Sequence, residues 1–170
     1  MASDEELIRA VAGGDEQAMR ELLRRYERSL SHFIHRYTGG RDVEDLYQDT
    51  WIRVLRAASR FESGKRFSTW LFQIAVNLCR DWHRRTPPEA SDGADNLPGL
   101  IGLEHSEAMV DAARLLAHLP PPQREVLILR FFHDLTEDET AAILDCPKGT
   151  VKSRLHEGLK RLAAYVSEER

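Results

Sequence analysis

The sequence of 170 residues has few of the features that mark secreted, disordered or membrane proteins. Its two cysteines, Cys79 and Cys146, are too few for a disulfide framework, so we expect two free thiols. Glycine and proline are sparse, and the 42% hydrophobic content is typical of a globular chain. No apolar run approaches the ~20 residues that span a bilayer, and the acidic residues 1–6 do not resemble a signal peptide. We therefore expect a cytoplasmic protein that does not insert into a membrane.

The net charge of −4 alone argues against a nucleic-acid-binding protein, but the charges are distributed unevenly. Residues 65–85 hold five Lys and Arg side chains and one acid, and residues 148–161 hold the same numbers, so each segment has a net charge of +4. Residues 86–145 between them hold twelve acids and three arginines, a net charge of −9. Two basic segments in an acidic chain indicate two separate contacts with a polyanion.

Apolar residues recur at steps of three and four along almost the whole chain, which predicts helices and no strand. The expected helices cover residues 4–12, 15–37, 42–60, 67–85, 104–118, 123–132, 136–144 and 149–166. Asp15, Asp42 and Thr136 are expected N-caps, and Glu139 completes a capping box with Thr136. Residues 86–103 hold three prolines and three glycines without periodicity, which predicts a flexible linker. The expected fold class is all-α: a helical bundle, residues 1–85, and a second small helical domain, residues 104–170.

Residues 136–161 have the spacing of a helix-turn-helix motif, whose second helix enters the major groove of DNA. The turn is residues 145–148, where Pro147 suits re-entry into a helix. The expected buried side of the last helix consists of Val151, Leu155, Leu159, Leu162 and Val166. The residues expected to contact duplex DNA are mostly polar or basic: Lys148, Thr150, Lys152, Ser153, Arg154, His156, Glu157 and Lys160.

Glu157 is the unusual member of this face, because a carboxylate repels phosphates. It either accepts a hydrogen bond from cytosine N4 or occupies a tolerated position at the rim. The alternative interpretation of the whole surface is the solvated outer face of a core helix.

Aromatic and basic residues are interleaved from residue 61 to residue 85, a combination that suits single-stranded DNA through base stacking and phosphate contact. The candidates are Phe61, Lys65, Arg66, Phe67, Asn77, Arg80, Arg84 and Arg85. Phe67 and Trp70 are equally compatible with core positions of a three-helix domain. Asn77 lies among apolar residues, so its amide is either hydrogen-bonded inside the protein or directed at a base edge.

Several motifs, in order along the chain, resemble the extracytoplasmic-function (group IV) sigma factors of the sigma-70 family. DVEDLYQDTWIRV at residues 42–54 resembles their polymerase-binding helix, and FSTWLFQIAVN at residues 67–77 resembles their segment that melts the promoter and reads the minus-ten element. Leu119-Pro120, then Arg124-Glu125-Val126, then DCPKGTVKSRL at residues 145–155 resemble their carboxy-terminal domain. The order of these motifs around one linker makes the resemblance specific.

The resemblance implies a non-enzymatic protein without cofactor, metal or small-molecule substrate, whose partners are core RNA polymerase and promoter DNA. The first domain would dock on the polymerase clamp helices through Asp45, Gln48, Asp49 and Arg53. Residues 61–67 with Asn77 would hold a base flipped from the non-template strand, which is the minus-ten contact. The second domain would bind the minus-35 duplex and the polymerase flap. Family members often carry Arg where this chain has Glu157, and an anti-sigma factor usually restrains them.

Two other functions are compatible with parts of the sequence. An autonomous helix-turn-helix repressor would use the same last helix, but it leaves residues 42–85 without a purpose. An enzyme or metal sensor would use the Cys79/His83 and His32/His35 pairs, whose spacing on helices suits zinc. A full set of four ligands and a nucleophile-base-carboxylate arrangement are both absent from the sequence pattern.

Overall fold

A computed structural model describes residues 1–87 and 107–170 of the protein. Within these ranges every regular element is helical and no strand occurs, which confirms the all-α prediction. The predicted linker, residues 86–103, lies outside the described residues except for its first two positions. We refer to residues 1–87 as the amino-terminal half and to residues 107–170 as the carboxy-terminal half.

Four helices form each half. In the amino-terminal half they are α1 (Asp4–Ala12), α2 (Glu16–Thr38), α3 (Val43–Ala57) with a following 3₁₀ turn (Ala58–Arg60), and α4 (Phe67–Arg85). In the carboxy-terminal half they are α5 (Glu107–Ala117), α6 (Pro121–Leu127) with a following π-helical turn (Ile128–Phe132), α7 (Glu137–Leu144) and α8 (Lys148–Glu168). When the 3₁₀ and π-helical turns are counted with the helices they follow, the predicted bounds agree to within about three residues. The predicted start of α5 at residue 104 lies outside the described residues.

Local capping chemistry determines where several helices begin. The Asp15 carboxylate accepts hydrogen bonds from the first backbone N–H groups of α2, and Thr136 and Glu139 form the predicted capping box of α7. Gly39 ends α2 with a φ of 70°, a conformation that glycine adopts without steric cost. The predicted caps at Asp15 and Thr136 are confirmed because they act between neighbouring residues.

The predicted N-cap role of Asp42 is wrong. Asp42 lies at the start of α3, but its φ is 52° and its side chain makes no capping hydrogen bond. Its carboxylate accepts a hydrogen bond from Trp82 Nε1 at 2.8 Å instead. The side chain therefore joins α3 to α4, because a partner in the tertiary structure outcompetes the local backbone donors.

The buried side of α8 also differs from the prediction. Val151 is buried, whereas Leu159 and Val166 are 43% and 39% exposed. Gly158 is buried in their place, and a Cβ atom there would lie 2.5 Å from Leu127 Cδ1. The missing side chain lets α6 approach α8 closely, which turns the contact surface of α8 away from Leu159.

The two halves pack against each other through a continuous apolar core. Helix α2 packs against α5, and α4 packs against α7. Buried residues of both halves, such as Phe33 and Phe72 on one side and Leu116 and Ile128 on the other, belong to one cluster. The helix-turn-helix therefore lies directly on the α4 helix that carries the first basic segment.

Candidate nucleic-acid interface

The outer face of α8 presents the side chains that the sequence assigned to duplex DNA. The exposed members are Lys148, Lys152, Ser153, His156, Glu157 and Lys160, and the half-buried members are Thr150 and Arg154. Lys148 Nζ lies 3.5 Å from Asp138 and Lys152 Nζ lies 3.8 Å from Glu137, both acids of the first turn of α7. These exposed pairs are weak and leave both ammonium groups accessible to phosphate.

The other candidate surface, which is aromatic and basic, begins at Phe61, directly after the 3₁₀ turn. Its half-buried ring meets Trp70 edge-on at a centroid distance of 5.3 Å and Phe67 at 6.3 Å. Phe67 itself is 0% exposed and also contacts Tyr26, so no surface of its ring is left for a base. Phe67 is a core residue that supports Phe61, and the prediction that it contacts DNA is corrected accordingly.

A pocket of about 360 Å³ opens beside Phe61. Its walls are Glu5 and Arg9 of α1 together with Phe61, Ser63, Gly64, Lys65 and Arg66 of the following loop. The Glu5 carboxylate accepts a hydrogen bond from the Phe67 backbone N–H at 2.9 Å, which fixes α1 to the beginning of α4. No local pattern in the sequence marks Glu5 and Arg9 as pocket residues, because only the tertiary structure brings α1 to this loop.

Further along α4, the exposed residues Asn77, Arg84 and Arg85 remain accessible. Asn77 is not enclosed among apolar side chains, so its amide does not need a partner inside the protein. Arg84 pairs with Asp81, and Arg85 donates to the Asp81 backbone oxygen at 3.3 Å. The basic end of α4 is thus largely free to meet an anionic strand.

Arg80 is the exception, because it is held by the carboxy-terminal half. Its guanidinium donates two hydrogen bonds of 2.8 Å to Glu125 of α6, whose side chain is 1% exposed. Tyr37 of α2 donates a third hydrogen bond to the same carboxylate at 2.9 Å. Glu125 raises the pKa of Arg80 through these hydrogen bonds, and burial raises the pKa of the Tyr37 phenol. The buried carboxylate is therefore fully paired.

Arg124 completes this contact from the neighbouring position of α6. Arg124 as a whole is 6% exposed, and its guanidinium donates to the backbone oxygens of Leu116, Ala117 and Leu119 in its own half. It also donates to the Tyr37 backbone oxygen at 2.7 Å, across to the amino-terminal half. Burial lowers the pKa of Arg124, but its carbonyl partners satisfy the buried charge. Local sequence patterns gave no indication of this network.

A second set of polar contacts lies near the pocket beside Phe61. Arg66 Nη1 donates to Glu139 of α7 at 3.0 Å, and Gln73 Nε2 donates to the Ala142 backbone oxygen at 2.8 Å. The hydrogen bond from the Thr136 backbone N–H lowers the pKa of Glu139 most, and the charge of Arg66 lowers this pKa further. Two candidate promoter-contacting arginines, Arg66 and Arg80, are therefore bound to carboxylates of the other half. We call this the closed arrangement.

An aromatic cluster also joins the two halves, and it meets α4 at Phe72, between Arg66 and Arg80 in the sequence. The His133 ring lies 5.9 Å from the Phe33 ring and 5.4 Å from the Phe72 ring, and the Arg36 guanidinium lies 4.3 Å from the Phe132 ring. Burial, followed by the charges of Arg36 and His32, lowers the pKa of His133 to about 4. The imidazole is therefore neutral at pH 7, as a mostly apolar interface requires.

The outer face of α3 carries the residues assigned to polymerase. Asp45, Gln48, Asp49 and Arg53 are all exposed. Ile52 and Leu55 lie in the same stretch of helix and are 44% and 56% exposed. These two residues were not among the predicted contacts, although apolar residues three apart outside the buried stripe indicate a partner surface.

The Cys79/His83 and His32/His35 pairs are the metal-site candidates of the sequence. Among the described residues, no group of three or more His, Cys, Asp and Glu side chains is arranged to hold a metal ion. Cys79 is buried and Cys146 is half-buried; both thiols are free, and burial raises the pKa of Cys79. None of the helices in the described ranges has both the length and the apolar character needed to cross a bilayer.

Two family models match the chain, and they fall on the two halves. The model described as Sigma-70 region 2 matches residues 22–87, which include the α3 face and the first basic segment. The model described as Sigma-70, region 4 matches residues 110–162, which include the helix-turn-helix. The order of these regions agrees with the order of the motifs along the chain.

Curated relatives and solved structures agree with these models. The ECF RNA polymerase sigma-E factors of Salmonella typhimurium (strain LT2) and Escherichia coli (strain K12) are each 33% identical over 90% of this chain and 88% of theirs. The sigma factor RpoE of Bartonella quintana, solved with the anti-sigma factor NepR, is 26% identical over 89% of this chain and 98% of its own, with a TM-score of 0.69. CnrH, solved with the cytosolic domain of CnrY, shares the fold over 99% of this chain and 100% of its own, with a TM-score of 0.77 at 24% identity. The chain therefore belongs to the extracytoplasmic-function sigma factors of the sigma-70 family, which act in transcription initiation.

Proposed function

We propose that this chain binds core RNA polymerase through α3, captures the minus-ten non-template strand with its amino-terminal half, and holds the minus-35 duplex with α8. The observation that carries the proposal is the presence of three exposed surfaces on one chain. Each half has a cationic surface, and the outer face of α3 is covered by neither half. The role of the chain is binding and positioning, without a catalytic step of its own, and it acts in the cytoplasm.

The α3 face is suited to a protein partner. Ile52 and Leu55 supply apolar area that gains stability when a partner removes it from water. The surrounding Asp45, Asp49 and Arg53 supply charges of both signs, which orient a partner and discriminate against others. A helix of the polymerase clamp with apolar and complementary charged side chains is the partner that we propose for this face.

The closed arrangement must open before both DNA elements are bound. Glu125 and Glu139 occupy Arg80 and Arg66 in the way that DNA phosphates would, so a minus-ten strand competes with the carboxy-terminal half for the same guanidinium groups. Polymerase binding to both halves would separate them and expose these cations. We accordingly expect the free chain to bind DNA weakly and the holoenzyme to bind it tightly.

We also propose an anti-sigma factor as the restraining partner. The solved RpoE relative is described in complex with the anti-sigma factor NepR. In the present chain such a partner would gain by stabilising the closed arrangement, in which Arg66 and Arg80 are already occupied. The exposed rings of Phe131 and Phe132, 53% and 40% exposed, are apolar surface for it on the carboxy-terminal half.

The test is co-purification with core RNA polymerase followed by run-off transcription on sheared genomic DNA. A stable complex that yields discrete transcripts, together with weak DNA binding by the free chain, supports the proposal. Tight duplex binding without polymerase, and no transcript with it, would favour an autonomous repressor instead.

A further inference from the structure

We infer that Glu5 of α1 selects the base that enters the pocket beside the loop of residues 61–66, by accepting a hydrogen bond from an exocyclic amino group. The inference rests on the proposed function, because it takes the non-template minus-ten strand as the ligand of the pocket. It adds a specificity-determining residue from a helix that lies outside both matched regions, residues 22–87 and 110–162.

The pocket has the shape and the platform that an extruded base requires. Its volume is about 360 Å³, and Phe61 lines one side of it. Edge contacts with Phe67 and Trp70 hold the Phe61 ring in place. Extrusion of a base costs a few kcal/mol, and stacking on an aromatic ring with hydrogen bonds to the base edge offsets this cost.

The Glu5 carboxylate is held in a fixed position before any base arrives. The Phe67 backbone N–H donates to Glu5 Oε1 at 2.9 Å, and the side chain is half-buried. Phe67 is the first residue of α4, so its backbone N–H is one of the donors that the helix itself leaves without a partner. An ionised carboxylate has about four acceptor sites, and the Phe67 N–H uses one of them. The remaining sites are available to a donor on a base.

The charged side chains around the pocket suit different parts of a nucleotide. The other ionisable side chains in its walls, Arg9, Lys65 and Arg66, are all cations. Lys65 pairs with Glu62 at 3.1 Å and Arg66 with Glu139 at 3.0 Å, and both can exchange these carboxylates for the phosphates of a strand. Glu5 is the one carboxylate among the residues that line it. A carboxylate next to a strand repels phosphate and is stabilising only where it meets donors. The base edge is the part of a nucleotide that supplies them.

The chemistry of the four bases then gives a preference. Adenine, cytosine and guanine each carry an exocyclic amino group that donates hydrogen bonds, whereas thymine carries none. A single well-placed base contact discriminates by roughly ten-fold or more. We expect the captured position to favour an amino-bearing base over thymine by about that factor.

The experiment uses holoenzyme formed from the full chain and core polymerase. Selection from a library of random minus-ten sequences first identifies the preferred non-template strand. Fluorescein-labelled single strands are then compared in which each minus-ten base is replaced, one at a time, by its analogue without the amino group. The analogues are 2-pyrimidinone for cytosine, purine for adenine and hypoxanthine for guanine.

The matched variants are Glu5→Gln and Glu6→Gln. Gln at position 5 keeps an oxygen for the Phe67 N–H but removes the charge. Glu6 undergoes the same chemical change one residue away, outside the pocket walls, and Gln is also compatible with its capping box. At one position, loss of the amino group should weaken binding about ten-fold in the wild type and in E6Q, and by less than about two-fold in E5Q.

The outcomes separate the two proposals. If E5Q holoenzyme keeps the full ten-fold penalty, the role of Glu5 is overturned while the sigma function stands. If removal of the amino group has no effect at any minus-ten position in the wild type, the role of Glu5 is overturned without use of a variant. If the wild-type holoenzyme selects no sequence at all, the proposed function itself is overturned.

Discussion

Arg80 and Glu125 form a two-point ion pair between the halves of the chain, with Nε–Oε1 and Nη2–Oε2 distances that are both 2.8 Å. The Glu125 side chain is 1% exposed, whereas the Arg80 side chain is 33% exposed. Removal of the arginine alone would leave a buried carboxylate uncompensated, which typically costs about 3–5 kcal/mol. The half-exposed arginine, by contrast, can turn to another anion. Loss of the ion pair therefore costs more free energy at the buried Glu125 than at the half-exposed Arg80.

The first prediction concerns the weaker of the two inter-half ion pairs. Glu139→Gln removes the charge opposite Arg66 but keeps the capping box of α7, because Gln serves there as well as Glu. We expect the free chain to bind a single-stranded minus-ten oligonucleotide several-fold more tightly, since Arg66 then lacks a competing carboxylate. Fluorescence anisotropy at fixed salt measures the affinity.

Glu137→Gln is the matched control for this experiment. Glu137 lies on the same turn of α7 but pairs with Lys152 inside the carboxy-terminal half. It should leave the single-strand affinity unchanged. Equal gains in the two variants would mean that net charge, and not the release of Arg66, determines the affinity of the free chain.

The second prediction is a pH dependence of the closed arrangement. The pKa of His133 is about 4 in the closed arrangement, below the usual value of about 6.5. The open or unfolded chain therefore binds more protons between these values, so the contribution of His133 to closure is complete near pH 7 and is lost as the pH falls towards 4. The full effect is on the order of 3 kcal/mol.

His133→Phe provides the comparison, because a Phe ring keeps the contacts with Phe33 and Phe72 but does not titrate. Thermal unfolding should show that this variant loses less stability between pH 7 and pH 5 than the wild type does. Arg36 and His32 face the same imidazole and remain in both proteins. If both proteins lose the same stability between pH 7 and pH 5, the pH dependence belongs to other groups.

The third prediction concerns the exposed apolar residues of α3. Leu55→Ser should weaken binding to core polymerase by about ten-fold, because a side chain buried in an interface contributes roughly 1–3 kcal/mol. Leu55 is 56% exposed, so the unfolding free energy should change by less than about 0.5 kcal/mol. Surface-immobilised core polymerase provides the assay. Val166→Ser, at a residue 39% exposed on α8, is the control; a similar loss there would contradict a specific role for α3.

The fourth prediction addresses the carboxylate on the DNA-facing side of α8. Glu157→Arg replaces a charge that repels phosphate with one that attracts it, at an exposed position. Holoenzyme with this variant should bind the minus-35 duplex more tightly, with a salt dependence steeper by about one unit. Glu168→Arg, at the far end of the same helix, should change neither quantity. If E157R instead lowers affinity only for sites with cytosine at one position, Glu157 reads that base.

The sequence predicted the helices well because their signals are local. Caps at Asp15 and Thr136 and the apolar periodicity all act within a few residues. The errors arise where a distant partner intervenes. Asp42 bonds to Trp82 instead of its own helix, and Gly158 lets α6 displace Leu159 from the buried side of α8.

The candidate site was predictable in its chemistry and not in its assembly. The composition of residues 61–85 and 148–161 pointed to DNA, but nothing in either segment indicates that Arg80 meets a carboxylate 45 residues away. Glu5 was missed for the same reason, since α1 reaches the loop at residue 61 only after folding. Contacts between elements far apart in sequence have no local pattern.

The measurement that tests the account most directly is the distance between the halves before and after polymerase binds. Arg20→Cys on α2 and Ala163→Cys on α8 are exposed labelling sites, in a Cys146→Ser background where the remaining Cys79 is buried. Single-molecule energy transfer should be high and uniform in the free chain and should fall when core polymerase is added. High transfer that persists in a transcribing holoenzyme would show that the closed arrangement does not open, and the proposed competition between carboxylates and promoter DNA would be wrong.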